Sequence, residues 1–247
     1  MTFRGLPLRL PAASALAALA LAAALAGCAS PSSHFYTLSP TDAANDGARA
    51  GVASTTGNPA LLVELAPVDV PQQVAKAQLV VWDDANRVKV LEQERWASLP
   101  GDEIRRALSG DLTQQLGTID VYGSPHPEGV PVYRVSVKVQ RFESWPSSHA
   151  LIDAVWSVRS LDSQAIMTCR SMLNEPVGDG YDALVAGHRR AVAALSQVIA
   201  SGVRTLAATP QVSATATTKR GAKTSGRMSP VTSLACPQPV PAAATAG

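Results

Sequence analysis

The residue best placed for covalent chemistry is Cys28, which ends the segment Leu25-Ala26-Gly27-Cys28. An apolar run from Leu10 to Ala26 precedes it, and Arg4 and Arg9 lie at the start of the chain. A basic start, a short apolar core and small residues before the break are typical of a secretory signal that is removed. Cysteine supplies a nucleophilic sulfur, and small residues let an extended segment enter a narrow protease cleft. The sequence predicts cleavage immediately before Cys28.

This arrangement resembles the lipobox of bacterial lipoproteins. The resemblance implies that residues 1–27 are a signal peptide, that the Cys28 thiol receives a diacylglycerol, and that the new amino group is acylated by a fatty acid such as palmitate. Several chains on one cysteine make a stable anchor, whereas a single chain binds a membrane reversibly. Ala29 stands where enterobacterial lipoproteins of the inner membrane carry aspartate, so the resemblance implies the periplasmic face of the outer membrane.

An ordinary transmembrane helix is the competing interpretation of the apolar run. The run is shorter than the roughly 20 residues that a membrane span needs. Pro11 lies at its start, and most of its residues are alanine. These features favour the lipoprotein signal.

Charge is distributed unevenly along the mature chain. Residues 28–206 carry 15 basic and 19 acidic residues, a net charge of −4, whereas the four basic residues of 207–247 have no acidic neighbours. A nucleic-acid surface would need positive charge concentrated on the folded part, so no nucleic-acid partner is expected. We interpret 28–206 as one periplasmic domain and 207–247 as a low-complexity, largely disordered tail. Contact of this tail with anionic lipid or a partner is the alternative.

Cys169 and Cys236 remain once Cys28 is assigned to lipid. The periplasm is oxidising, so an even pair suggests a disulfide. Closing a loop of this length could stabilise the fold by roughly 4 kcal/mol in the chain-entropy model, if the tail is otherwise mobile. Two unpaired thiols are the alternative.

Alternating polarity and two amphipathic helices define the expected fold. Residues 39–60 are small and polar and predict a flexible loop. Apolar stripes predict helices over 102–117 and 181–206. The pattern favours a two-layer α/β sandwich, with a mixed, mostly antiparallel sheet and both helices on one face. Strands are predicted at 34–38, 61–70, 78–82, 87–93, 132–142, 147–161 and 165–173.

The sequence contains little that indicates catalysis or metal binding. The four histidines, His34, His126, His149 and His188, lack the spacing of a metal site. No nucleophile elbow and no glycine-rich phosphate loop is present. We therefore expect no enzyme activity, no metal and no cofactor besides the covalent lipid on Cys28. A periplasmic hydrolase remains a minor alternative.

Four segments in a fixed order carry a second resemblance. They are Phe35-Tyr36-Thr37-Leu38, Val63 to Pro71, Gln78-Leu79-Val80, and Glu92 to Leu99 with its Arg95-Trp96-Ala97 box. This order resembles the PqiC family of ABC-type transport auxiliary lipoproteins, over about residues 28–206. The box is the most specific part of the match. Ala77 departs from the family, which often has proline there, and this puts only a local turn in doubt.

The PqiC resemblance implies a non-enzymatic role in the envelope. Its implied partner is a PqiB-like MCE-domain protein of the inner membrane, and together they would move phospholipids or other apolar molecules between membranes. Tyr36 and Trp96 are the residues that we expect near the partner, although core or rim packing is the alternative for Trp96. A homo-oligomer is left open. The alternative function is a scaffold or assembly lipoprotein for other outer-membrane machinery.

Overall fold

The structure is a computed structural model that describes residues 32–39, 59–163, 165–209 and 235–237. The predicted signal peptide, Cys28, most of the loop 39–60 and most of the tail lie outside these residues. The described elements are β1 (His34–Tyr36), β2 (Leu62–Leu65), β3 (Gln78–Asp84), β4 (Arg87–Trp96), α1 (Pro100–Leu116), β5 (Val132–Trp145), β6 (His149–Ser160), β7 (Ile166–Pro176) and α2 (Tyr181–Ala208).

The last three predicted strands form an antiparallel meander within the larger sheet. Its strand order is β2-β5-β6-β7, with β5 antiparallel to β6 and β6 antiparallel to β7. The alternating pattern of β5 buries Tyr133, Val135, Val137 and Val139 and leaves the residues between them exposed. One face of the sheet therefore meets the helices and the other meets solvent, as the period of two predicts.

Strand β2 is shorter than the predicted 61–70 and lies at an edge of this sheet. It pairs in parallel with β5 and ends at Leu65. Pro67 follows, and proline cannot donate to a ladder, which confines it to edges and bends. A single bridge between Asp69 and Lys138 then holds the next segment beside β5.

The strands β1, β4 and β3 form a separate three-stranded sheet, whereas the sequence suggested one sheet. The strands predicted at 78–82 and 87–93 form a hairpin, in which β3 pairs antiparallel with β4. The register jumps from the Leu79–Leu91 pair to the Gln78–Arg95 pair, so β4 bulges between Leu91 and Arg95. Beyond the bulge, β1 pairs in parallel with the end of β4. The mixed, two-layer α/β fold is nonetheless confirmed.

Two helices cover the inner face of the sheets. Helix α1 begins at Pro100, two residues before the predicted start, because proline suits the first helical position. It ends at Gly117, whose φ of 61° is the left-handed conformation that favours glycine. Helix α2 is long and apolar enough to cross a membrane, but 56% of its apolar window is buried inside the protein. We therefore regard α2 as a core helix.

Helix α2 crosses the sheet closely at Gly202. A Cβ atom there would lie 3.0 Å from Cζ3 and 3.1 Å from Cη2 of the buried Trp156. We expect Gly202→Leu to lower the free energy of unfolding by about 1–3 kcal/mol, because a packed core resists added volume. The matched change Gly110→Leu meets open space on α1 and should stabilise by about 0.5–1 kcal/mol through helix propensity. Urea denaturation measures both variants, and equal effects would contradict the close packing.

Candidate functional site

Strand β1 begins shortly after Cys28, so it joins the predicted lipid site to the body of the protein. Cys28 itself lies outside the described residues, and its lipidation stays a prediction. The chain from His34 to Leu38 contacts β4, α1 and α2 in turn. This β1 region, defined here as His34–Leu38 with its contacts, is the candidate functional site.

Glu94 of β4 fastens the start of the β1 region. Its Oε2 accepts a hydrogen bond of 2.6 Å from the Tyr36 hydroxyl, and its Oε1 lies 2.9 Å from Nδ1 of His34. The hydrogen bonds from Tyr36 and His34 lower the pKa of Glu94. The same bond to Glu94 raises the pKa of His34, while burial and then Glu94 raise the pKa of Tyr36. Glu94 of β4 thus bonds to two side chains of the parallel strand β1.

The pair between His34 and Glu94 predicts a pH dependence. Since the folded pKa of His34 lies above 6.5, its contribution is complete below pH 6.5 and is lost as the pH rises through the folded value. The lowered pKa of Glu94 keeps its own contribution above pH 4.5. We expect His34→Gln to destabilise the protein slightly near pH 6, with a difference from wild type that shrinks as the pH rises through the folded pKa of His34.

Denaturation curves collected across this pH range test the prediction, with Glu94→Gln as the control background. His34→Gln should have no pH-dependent effect once Glu94 is neutral. A pH-dependent difference that persists in the Glu94→Gln background would assign the effect to another group.

Glu103 of α1 fastens the end of the β1 region. Its carboxylate is fully buried and accepts hydrogen bonds from the Thr37 hydroxyl at 2.7 Å, the Leu38 backbone N–H at 2.9 Å, and the Ser98 hydroxyl. Arg106 donates a further bond of 3.2 Å. Burial opposes ionisation, but the hydrogen bonds outweigh it, and the pKa of Glu103 is lowered. No sequence pattern marks this role of Glu103, because Thr37 and Leu38 are more than sixty residues away in the chain.

The two residues expected near a partner have different environments. Trp96 is 3% exposed and packs edge-on to Phe142 and His188 in the core. Its side chain is therefore not available at the surface, and only the region around it can face a partner. Tyr36 is half-buried. Phe35, between His34 and Tyr36, is 67% exposed, although no pattern in the sequence distinguishes it as a contact residue.

His188, one of the four histidines without metal-site spacing, is a core histidine of α2. It is fully buried, stacks on Phe142 with ring centroids 4.1 Å apart, and lies 2.8 Å from the Ser144 hydroxyl through Nε2. Burial lowers the pKa of His188 to about 3. Among the described residues, no group of three histidine, cysteine or acidic side chains is placed to hold a metal ion.

Two of the predicted site residues are joined in the structure. Cys169 of β7 and Cys236 form a disulfide with Cα atoms 5.8 Å apart. Cys236 and its two neighbours are the only described residues after Thr209, so the bond places this part of the tail beside β7.

Two solved structures are similar to this chain. One crystal structure, described as that of an uncharacterized protein, matches with a TM-score of 0.54 and 19% identity over 70% of this chain and 99% of that chain. A protein from Xanthomonas campestris, assigned to DUF330, matches with a TM-score of 0.48 and 14% identity over 61% of this chain and 92% of that chain. A comparison with curated proteins found no match.

A family model also matches this chain. The model of the ABC-type transport auxiliary lipoprotein component matches residues 36–200, which is more than half of the chain. Its span runs from Tyr36, the last residue of β1, to Ala200 in α2, and it includes the other six strands and α1. The chain therefore belongs to the family of ABC-type transport auxiliary lipoprotein components.

Proposed function

We propose that this protein is an outer-membrane lipoprotein that serves an MCE-type transport system from the periplasmic side. Lipid on Cys28 holds it at the membrane, and a PqiB-like MCE-domain protein is its partner. Together they move phospholipids or similar apolar molecules between the two membranes and so support envelope integrity. In this role the protein supplies a docking point and catalyses no reaction.

The observation that carries the proposal is the family match over residues 36–200, together with the lipobox at Leu25–Cys28. The family is one of transport auxiliary lipoproteins. An acyl chain loses its hydrophobic stabilisation in water, so the transfer of a lipid between membranes needs a shielded route. Such a route needs a component fixed at the receiving membrane, and a lipid-anchored domain meets that need.

The β1 region is the proposed contact with the partner. It follows the anchor in the chain, and Glu94 and Glu103 hold it firmly against the body. Phe35 presents an exposed aromatic ring from this rigid strand. Exposed aromatic side chains on rigid elements are frequent anchors of protein interfaces, because they bury much area at a small cost in entropy.

Chemical cross-linking in cells, followed by affinity capture from detergent-solubilised membranes, tests the proposal. We expect the wild-type protein to recover an MCE-domain protein, and Phe35→Glu to lower that recovery about tenfold, the equivalent of 1.4 kcal/mol. Met172→Glu is the matched control, since Met172 is 60% exposed on β7. Recovery of a barrel-assembly complex without an MCE-domain protein would instead support the scaffold function. An equal loss with both variants would contradict contact through the β1 region.

A further inference from the structure

The solvent-facing side of the four-stranded sheet contains a groove that the proposed function does not use. It has a volume of about 340 Å³ and is lined by residues of the segment after β2 and of strands β5, β6 and β7. Its polar lining side chains are Asp69, Ser136, Lys138, Ser157 and Thr168. This size suits a small polar ligand.

Strand register aligns the hydroxyl groups of the groove in one row. Ser136 pairs with Ser157, and Ser157 pairs with Thr168, so the three side chains lie side by side across three strands. Residues paired across a ladder project from the same face of the sheet. Within the described part of the chain, none of the three hydroxyls makes a side-chain hydrogen bond. The row therefore offers three adjacent donors to a ligand.

Charged side chains lie on both sides of the hydroxyl row. Lys138 lies two residues beyond Ser136 on β5, and Arg159 lies two residues beyond Ser157 on β6, on the opposite side of the row. Neither has an ion-pair partner among the described residues, whereas the nearby Arg134 and Arg170 are paired with Glu64 and Asp153. Two basic side chains without an ion-pair partner among the described residues therefore lie on either side of the hydroxyl groups.

Asp69 is the acidic residue that lines the groove. Asp69 is bridged to Lys138 through the backbone, so both side chains project from the same face, and the described residues contain no salt bridge to Asp69. A phosphate group accepts hydrogen bonds from hydroxyls and attracts lysine and arginine. An ammonium group is attracted by a carboxylate. Lys138, the three hydroxyls and Asp69 line one groove, and Arg159 lies beside it on β6; together they match a ligand that carries both phosphate and ammonium.

We infer that this groove binds the zwitterionic head of a phospholipid of the phosphoethanolamine class. The phosphate lies over the hydroxyl row between Lys138 and Arg159, and the ammonium faces Asp69. The groove is open to solvent, and its volume of about 340 Å³ is smaller than two phospholipid acyl chains, so these chains stay outside it. The inference deepens the proposed function, since it names the class of lipid that the domain recognises.

Titration calorimetry of the full-length protein in detergent tests the inference with water-soluble probes. The probes are glycerophosphoethanolamine, its anionic counterpart glycerophosphoglycerol, and inorganic phosphate. We expect glycerophosphoethanolamine to bind most tightly, Lys138→Gln combined with Arg159→Gln to weaken it at least about tenfold, and Asp69→Asn to abolish its advantage over glycerophosphoglycerol. Lys89→Gln, on exposed β4, is the control for general loss of charge.

Several results would overturn the inference. Equal affinity for inorganic phosphate would show a free-phosphate site, and equal weakening by Lys89→Gln would show unspecific charge attraction. Absence of binding while the MCE-domain protein is still captured would reject the headgroup site and leave the proposed function intact. Thermal unfolding of each variant is measured as well, so that a loss of binding is not confused with a loss of fold.

Discussion

Replacing Cys28 with alanine will transfer the protein from the membrane fraction to the soluble periplasmic fraction. Residues 1–27 are exchanged in the same variant for a cleavable signal peptide of the general secretory type, so that export continues. Each buried CH₂ of an acyl chain contributes about 0.8 kcal/mol to membrane binding. Loss of several chains therefore shifts the partition by orders of magnitude. Immunoblotting of separated fractions measures the change.

Cys236→Ala is the matched control, because it removes a cysteine that takes no part in the predicted lipidation. It should leave the protein in the membrane fraction while breaking the disulfide to Cys169. We also expect the Cys28→Ala protein to fail in an envelope-permeability assay. Full activity from a soluble protein would remove the anchor from the mechanism. Mass spectrometry that finds residues 1–27 still attached to the wild-type chain would contradict lipidation itself.

Local polarity patterns predicted most of the strands and both helices. The alternation of apolar and polar residues in β5 identified its buried face, because a strand with one face in the core and one in solvent carries apolar residues on the core face. The division into two sheets depends on the bulge between Leu91 and Arg95 of β4. No glycine or proline marks this bulge. The alternation of Arg87 to Val90 breaks at Leu91, and four polar residues follow, but this break alone does not show which strand pairs beyond it.

The candidate site was harder to predict because its contacts are distant in the chain. Thr37 and Leu38 bond to Glu103, more than sixty residues away, and a helix pattern does not reveal such partners. Trp96 ends a strand, where an aromatic ring can serve either the surface or the core, and its packing with Phe142 in the core is tertiary. The disulfide partners were suggested by counting cysteines, which needs no knowledge of the fold.

Glu103→Ala is expected to cost about 3–5 kcal/mol of the free energy of unfolding, the typical loss when one member of a buried charged network is removed. The Thr37 hydroxyl and the Leu38 N–H would lose their acceptor inside the protein, and water could not replace it at the buried Leu38. Glu103→Gln keeps the shape and one acceptor oxygen, so it should cost less. Asp102→Ala, an exposed change in the same helical turn, is the control and should cost under about 1 kcal/mol.

The pH dependence of the free energy of unfolding distinguishes the contribution of the Glu103 charge from the contribution of its side-chain packing. Because the folded pKa is lowered, the charged contribution is present above the unfolded value of 4.5 and is lost as the pH falls through the folded value. The stability difference between wild type and Glu103→Gln should therefore shrink in acid, while the cost of Glu103→Ala persists. Denaturation at several pH values, with hydrogen exchange at Leu38, measures both. If Glu103→Ala costs no more than Asp102→Ala, the β1 region is held by its strand pairing with β4 and not by this carboxylate.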